Sequence, residues 1–263
     1  MSVSLTARAV PSSLADILAS LELRQPKVVT RALIQQFIEE TGSRIPAEAV
    51  VERLVRAGWL LPLRSRDAWE FAPAAHAGRF GSGDPWIELR ALLEHRPEAP
   101  VAVAYESAAW EHGYTTHQPE TPVLAHRPLW RAPRSISART VSYDWHLPTQ
   151  ASRGLPVWQP ATLVVAAADH PAAQGDWGNA DDWLPETFRT VAQSDVLTEA
   201  GGRGNATLAR LGHLAEWSGR ADIADIIETM IPKPLNVTFL GPRRPKGRWI
   251  RRWHLYDAIL PQR

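Results

Sequence analysis

Residues 46–73 read PAEAVVERLVRAGWLLPLRSRDAWEFAP, and this stretch decides the fold of the first part of the chain. Pro46 marks the start of a helix, because its missing N–H costs nothing in a first helical turn, and Gly58 marks the end. The apolar runs Trp59–Leu63 and Ala68–Pro73 lie on either side of a polar turn that contains arginines. Such a pair of runs predicts a β-hairpin. The stretch therefore predicts one helix followed by two antiparallel strands.

Two further helices are predicted before this stretch. Apolar residues recur at helical spacing in 12–22 and again in 28–41, and Gly42 marks the end of the second helix. Three helices followed by a hairpin, within about 65 residues, is the order of the winged helix-turn-helix. We therefore expect residues 1–80 to form a DNA-binding domain of this type. The alternative is a small helical module that binds only protein.

The third predicted helix has an apolar half, which faces the core, and a polar half that is free to enter a DNA groove. Cations near the second helix and before the third are expected to hold the DNA backbone, and the arginines of the hairpin turn to reach a phosphate or the minor groove. These candidate DNA-binding residues are Lys27, Arg31, Arg44, Glu52, Arg53, Arg56, Arg64 and Arg66. The alternative is that they are ordinary solvated charges, which Glu52 supports because a carboxylate repels phosphate.

A segment rich in glycine, proline and small residues, 74–85, predicts a domain boundary. Beyond it, short β-like runs and helical patterns alternate without a regular β–α–β rhythm. We therefore expect an α+β protein, with a winged helix-turn-helix domain at 1–80 and a mixed α+β domain at 86–263.

The composition excludes several classes of protein. The 263 residues include no cysteine, which excludes disulfides, cysteine nucleophiles and thiolate metal sites. The longest apolar run, 163–168, is far shorter than the roughly 18 residues of a membrane-spanning helix, and the first ten residues lack the apolar core of a secretory signal. We therefore expect a cytoplasmic protein with no membrane partner.

The net charge of +1 conceals an uneven distribution along the chain. Residues 161–232 carry a charge of −7, whereas residues 233–263 carry +7. The basic tail contains Trp249 and Trp253 among its cations, a combination that suits contact with DNA or with a protein toxin. The candidate tail residues are Arg243, Arg244, Lys246, Arg248, Arg251 and Arg252. The alternative is that the tail pairs with the acidic block inside the fold.

Signals for catalysis or metal binding are weak. The glycine-rich run 201–204 lacks the Lys-Ser/Thr of a phosphate-binding loop, and no carboxylate pair at D-x-D or D-x-E spacing follows Gly81-Ser82 as a nucleotidyltransferase would need. The nine histidines form neither H-x-x-x-H nor H-E-x-x-H. We therefore expect no catalytic residue, no metal and no cofactor. An enzyme of unknown chemistry in 86–263 is the remaining alternative.

Several segments occur in the order found in one known family. They are RLVRAGWLLPLRSRDAWEFAP (53–73), AVAYESAAWEHGY (102–114), PVLAH (122–126), GLPVWQPATLVVAAADH (154–170), LARLGHLAEWSGRADIADIIETMI (208–231) and RWIRRWHLYDAILP (248–261). With this order the chain resembles the AbiEi antitoxins of type IV toxin–antitoxin, or abortive infection, systems. The resemblance implies a winged-helix domain that represses its own promoter and a C-terminal domain that counters a nucleotidyltransferase toxin. The alternative is a winged-helix transcription regulator whose second domain senses a ligand and has no toxin partner. The oligomeric state is left open.

Overall fold

The computed structural model describes residues 12–74, 81–175, 177–234, 236–242 and 247–262. The chain forms two compact units. The first contains the described residues up to Ala99 together with Pro133–Ser137, and the second contains Pro100–Ala132 and the described residues from Ala138 onward. Both units combine helices with short strands, so the predicted α+β class is confirmed.

The first unit places a helical layer on a small antiparallel sheet with the strand order β1-β3-β2. Its elements are a 3-10 turn at Ser12–Leu14, α1 (Ala15–Arg24), β1 (Val28–Thr30), α2 (Arg31–Thr41), α3 (Ala47–Arg56), β2 (Leu60–Pro62), β3 (Ala68–Phe71) and α4 (Ile87–His95). The core lies between the first three helices and the sheet, where Phe37, Val50 and Leu54 are fully buried.

The second predicted helix begins later than the sequence indicated. Val28–Thr30 pair with β3 as a strand, which suits these β-branched residues, and α2 starts only at Arg31. Thr30 then caps α2, because its hydroxyl accepts a hydrogen bond from the Leu33 N–H at 3.2 Å. The prediction of a continuous helix from residue 28 is therefore wrong for its first three residues.

The helix after the glycine-rich segment lies in the first unit. Ala91 of α4 packs against Val28 and Ala68 of the sheet, with Ile87 beside them. The predicted boundary between 80 and 86 therefore differs from the division at Ala99 that the packing makes. A glycine-rich segment interrupts regular secondary structure, but it does not decide which core the next helix covers.

The second unit is built on a five-stranded mixed sheet with the order β6-β5-β4-β8-β7. Its strands are β4 (Val101–Val103), β5 (Val123–His126), β6 (Arg139–Ser142), β7 (Gln150–Ser152) and β8 (Leu155–Val157). The pairs β5–β6 and β4–β8 are parallel, while β4–β5 and β7–β8 are antiparallel. A smaller sheet, with the order β10-β11-β9, contains β9 (Thr238–Leu240), β10 (Arg248–Ile250) and β11 (Leu255–Asp257).

Helices surround one central apolar helix in this unit. They are α5 (Tyr105–Glu111), α6 (Pro160–Asp169), α7 (Ala180–Thr190), α8 (Gln193–Ala200), α9 (Asn205–Trp217) and α10 (Ala221–Met230), with 3-10 turns at Pro171–Ala173 and Trp177–Asn179. Residues 161–168 of α6 are all buried, as expected for a helix that is apolar on every side. Among the helices that the structure describes, none has the length and apolar character needed to cross a bilayer.

Two predicted elements of this unit are each divided in two. The helix predicted at 184–199 is interrupted at Val191 and Ala192, whose backbones are extended. Arg220 donates to the carbonyls of Phe188 and Val191 and so satisfies the end of α7. The extended segment predicted at 248–255 forms β10 and the start of β11, separated by a turn.

Candidate nucleic-acid interface

The outward face of α3 presents three charged side chains. Val50 and Leu54 are fully buried, and the opposite side of the helix leaves Glu52, Arg53 and Arg56 exposed. Arg56 Nη2 donates to Glu52 Oε1 at 2.6 Å, one helical turn away. Because both partners are well exposed, this ion pair contributes little to stability and is easily exchanged for another partner.

Arg53 makes a weaker contact than its neighbours on α3. Its Nη1 lies 3.4 Å from the Ser13 hydroxyl and its guanidinium remains exposed. Arg44, in the turn before α3, is also exposed, and its ionic partner is not found among the described residues. These two arginines therefore carry charge that the first unit leaves accessible.

The two candidate cations around α2 are paired within the first unit. Arg31 lies between Glu48 and Asp67, at 2.5 Å and 2.9 Å. Lys27 Nζ contacts Asp84 Oδ2 at 3.0 Å. Burial would raise the pKa of Asp84, but hydrogen bonds from the Trp86 N–H, Lys27 and Arg90 outweigh it and lower that pKa. The sequence patterns around Lys27 and Arg31 contain no sign of these carboxylates, which come from distant elements.

The hairpin turn is fixed by a carboxylate that the sequence analysis missed. Arg64 and Arg66 lie in the turn between β2 and β3, not on a strand, so the alternation of side chains along a strand does not orient them. The Glu88 carboxylate of α4 accepts hydrogen bonds from the backbone N–H groups of Arg64 and Ser65, at 2.6 Å and 3.1 Å. Arg64 Nη1 donates to the Ser137 hydroxyl at 2.9 Å. The Arg66 side chain is 96% exposed, so it is the freer of the two.

The described part of the basic tail is divided between pairing and exposure. Arg252 contacts Glu216, Asp225 and Glu228 of α9 and α10, at 2.9 Å, 2.5 Å and 2.9 Å. Hydrogen bonds from these carboxylates, led by Asp225, raise the pKa of Arg252 against the smaller effect of burial. For Arg252, therefore, pairing with the acidic block is the arrangement found.

The other tail residues differ from Arg252. Arg248 Nη2 lies 3.5 Å from Asp257 Oδ2 and its side chain is 38% exposed, while Arg251 is exposed in the turn after β10. Three tail candidates lie outside the described residues. They are Arg243, Arg244 and Lys246. The tryptophans also differ, because Trp253 is fully buried whereas Trp249 is 42% exposed.

The second unit contains a buried carboxylate that no sequence pattern indicated. Glu199 is fully buried and accepts hydrogen bonds from the N–H groups of His146 and Leu147, both at 3.0 Å. The Thr162 hydroxyl and Arg203 also contact it, at 3.1 Å and 3.2 Å. These bonds hold the segment after β6 against α8, which is a structural task for a buried, fully partnered carboxylate.

The same unit places two tyrosines in the core and a cleft at its surface. Burial raises the pKa of Tyr105 and of Tyr143 well above the usual range, so neither hydroxyl is suited to acid–base chemistry near neutrality. A cleft of about 1180 Å³ is lined by residues that include Gln174, Trp177 and Phe239. Within the described part of the chain, no group of three or more His, Asp or Glu side chains is placed to hold a metal.

Comparison with known proteins assigns the second unit. Residues 101–217 match the family model of the AbiEi antitoxin C-terminal domain. Among solved structures, the crystal structure of the Rv2827c protein from Mycobacterium tuberculosis is similar, with a TM-score of 0.82 and 23% identity over 97% of this chain and 94% of that chain. At this identity the similarity concerns the fold. No significant match was found among curated proteins. The resemblance read from the sequence is thus confirmed, and the chain, which carries the AbiEi antitoxin C-terminal domain, is a member of the AbiEi family.

Proposed function

We propose that this protein is a DNA-binding repressor of its own promoter and the antitoxin partner of a nucleotidyltransferase toxin. The AbiEi domain supports an antitoxin role in a toxin–antitoxin system. The repressor activity and the class of toxin go further than that domain alone, and they rest on the first unit and on what the family resemblance implies.

The first unit supports DNA binding through the order and pairing of its elements. Three helices, a short strand between the first two, and a hairpin that pairs with that strand form the arrangement of a winged helix-turn-helix domain. In this arrangement α3 is the recognition helix and the turn at residues 63–67 is the wing.

The observation that carries the proposal is the exposed face of α3. Arg53 and Arg56 lie on this face with Glu52, whereas the opposite face is buried in the core. A guanidinium reads the O6 and N7 atoms of guanine in the major groove, and a carboxylate accepts from the amino group of cytosine. Arg44 and Arg66 are exposed nearby in sequence and would contact phosphates. Since Lys27 and Arg31 are already paired, we expect them to contribute less.

Fluorescence anisotropy of the full chain on its own promoter DNA tests the repressor activity. The wild type should bind with an affinity that falls steeply with salt. Arg53→Ala or Arg56→Ala should cost about 1–3 kcal/mol at one base pair of the site and much less elsewhere. Arg96→Ala, at the exposed end of α4, is the matched control and should bind as the wild type does. Absence of wild-type binding at low salt would refute the DNA-binding proposal.

Co-expression with the adjacent open reading frame tests the antitoxin activity. The neighbouring gene product should arrest growth when expressed alone, and the present chain should restore growth. Arg53→Ala should still restore growth if the second unit is sufficient to counter the toxin. If the neighbouring product is harmless, or if growth is not restored, the proposed partnership is wrong.

The cleft in the second unit favours a second candidate function, in which that unit senses a small ligand. Gln174 lines the cleft, is almost fully buried, and has no hydrogen-bond partner for its side-chain amide. An unpaired buried amide is costly unless water or a ligand satisfies it. A regulator of this kind would show altered promoter binding when its ligand is added, with no toxin required.

A further inference from the structure

An aromatic row crosses the small sheet of the second unit. Trp249 of β10 is paired in register with Tyr256 of β11, and Tyr256 is paired with Phe239 of β9. The ring centroids are 4.8 Å apart in the first pair and 5.6 Å in the second. Residues that face each other across neighbouring strands lie on the same side of a sheet, so the three rings share one face.

The opposite face of this sheet supplies the core contacts. Leu240 and Leu255, which flank the ring positions along their strands, are fully buried. The aromatic row therefore lies on the side away from that core. Among the tryptophans that the structure describes, only Trp249 is exposed, at 42%, while Tyr256 and Phe239 are half-buried.

Positive charge accompanies the row. Arg248 precedes Trp249 on β10 and keeps 38% of its side chain exposed, and Arg251 is exposed in the turn that follows this strand. The exposed rings are thus bordered by guanidinium groups that can bind phosphate. An apolar protein partner would not require this charge, whereas a polyanion with flat apolar groups matches both features.

We propose that this aromatic row is a stacking platform for single-stranded nucleic acid. Unpaired bases stack on exposed aromatic rings while nearby cations hold the sugar–phosphate backbone. Bases inside a duplex are already stacked on each other and cannot lie on the row. The activity is therefore separate from the promoter binding assigned to the first unit, and it needs nothing from that unit.

The cleft described above extends the platform at its Phe239 end. Phe239 belongs both to the row and to the wall of the cleft, and Trp177 adds a second aromatic ring to that wall. A strand that leaves the row at Phe239 enters this cleft, where a base can lie between apolar walls. The row and cleft together offer continuous aromatic surface for several successive nucleotides.

Binding of the full chain to short labelled oligonucleotides tests the platform. The probes are an oligouridylate and an oligothymidylate of about ten nucleotides, and a duplex of the same length, followed by fluorescence anisotropy. Both single strands should bind, and the stronger of the two identifies RNA or DNA as the source. Trp249→Ala should weaken single-strand binding by about 5- to 150-fold, since stacking on one ring is lost. Trp249→Phe, which keeps a ring, should retain most of the binding.

Charge and stability controls complete the experiment. Arg251→Ala should weaken single-strand binding and lower its salt slope by about 0.7, whereas Arg131→Ala removes an exposed arginine elsewhere in the unit and should change neither. The melting temperature of Trp249→Ala should match that of the wild type, because the ring is exposed. The proposal is overturned if Trp249→Ala binds single strands as tightly as Trp249→Phe does, or if it weakens duplex binding by the same factor. Binding of a protein at this face without any oligonucleotide binding would overturn it as well.

Discussion

Replacing Arg252 by alanine should destabilise the second unit, whereas the same change at Arg251 should not. The two arginines are adjacent in sequence and belong to the same turn, so they form a matched pair. Arg252 contacts three carboxylates on α9 and α10, and its guanidinium lies over the Trp253 ring at 5.0 Å. Arg251 is exposed, and no partner for it is found among the described residues.

The size of the effect follows from the exposure of the partners. The Arg252 side chain is 28% exposed, and its three carboxylate partners are 32–67% exposed, so each ion pair is worth less than about 1 kcal/mol. Contact with the Trp253 ring adds about 0.5–1 kcal/mol. The sum for Arg252→Ala is about 2 kcal/mol, which for a unit of this size lowers the melting temperature by about 4–8 °C. Arg251→Ala should stay within about 0.5 kcal/mol of the wild type.

Urea unfolding of the full chain, followed by tryptophan fluorescence at low and high salt, measures both variants. Because screening weakens exposed ion pairs, the difference between Arg252→Ala and wild type should shrink at about 1 M salt. The reasoning is refuted if Arg252→Ala is as stable as Arg251→Ala at low salt, or if the difference is independent of salt.

Two further substitutions test the packing and the electrostatics of the same unit. Gly212→Ala should destabilise by about 1–3 kcal/mol despite the better helix propensity of alanine, because a Cβ there overlaps the Trp253 indole; Gly178→Ala, which has free space, should be neutral, and thermal unfolding of the pair would expose an error. Asp257 is buried, which raises its pKa, but hydrogen bonds from His213 and from two backbone N–H groups outweigh burial and lower it. Its stabilising contribution is therefore full above the unfolded pKa of about 3.9 and is lost as the pH falls through the lower folded value. Asp257→Asn should show a flatter loss of stability than wild type in urea titrations between about pH 5 and 2, and an unchanged slope would contradict this.

Local sequence patterns determined the elements that depend on short-range chemistry. Pro46 and Gly58 bracket the third helix, and α3 runs from Ala47 to Arg56 between them. The apolar run of α6 is long and continuous, so a buried helix is its only economical location. The family resemblance added the AbiEi domain, through several weak motifs whose common order carries the information.

Tertiary structure decided the features that depend on residues far apart in sequence. Val28–Thr30 form a strand because β3 offers hydrogen bonds, and α7 ends early because Arg220 satisfies its last carbonyls. The pairing of Arg31 and Arg252 depends on carboxylates from other elements, which no local pattern around these arginines identifies.

The aromatic row shows the same division between sequence and structure. The sequence contains Phe239, Trp249 and Tyr256 at spacings that carry no periodic signal, and it places two tryptophans in a basic segment without separating their roles. Strand pairing puts Trp249 on the open face and leaves Trp253 in the turn, where it enters the core against Gly212. Burial of a side chain is a property of the register between strands and of the surface that a turn covers, and both are set by contacts that form only in the folded chain.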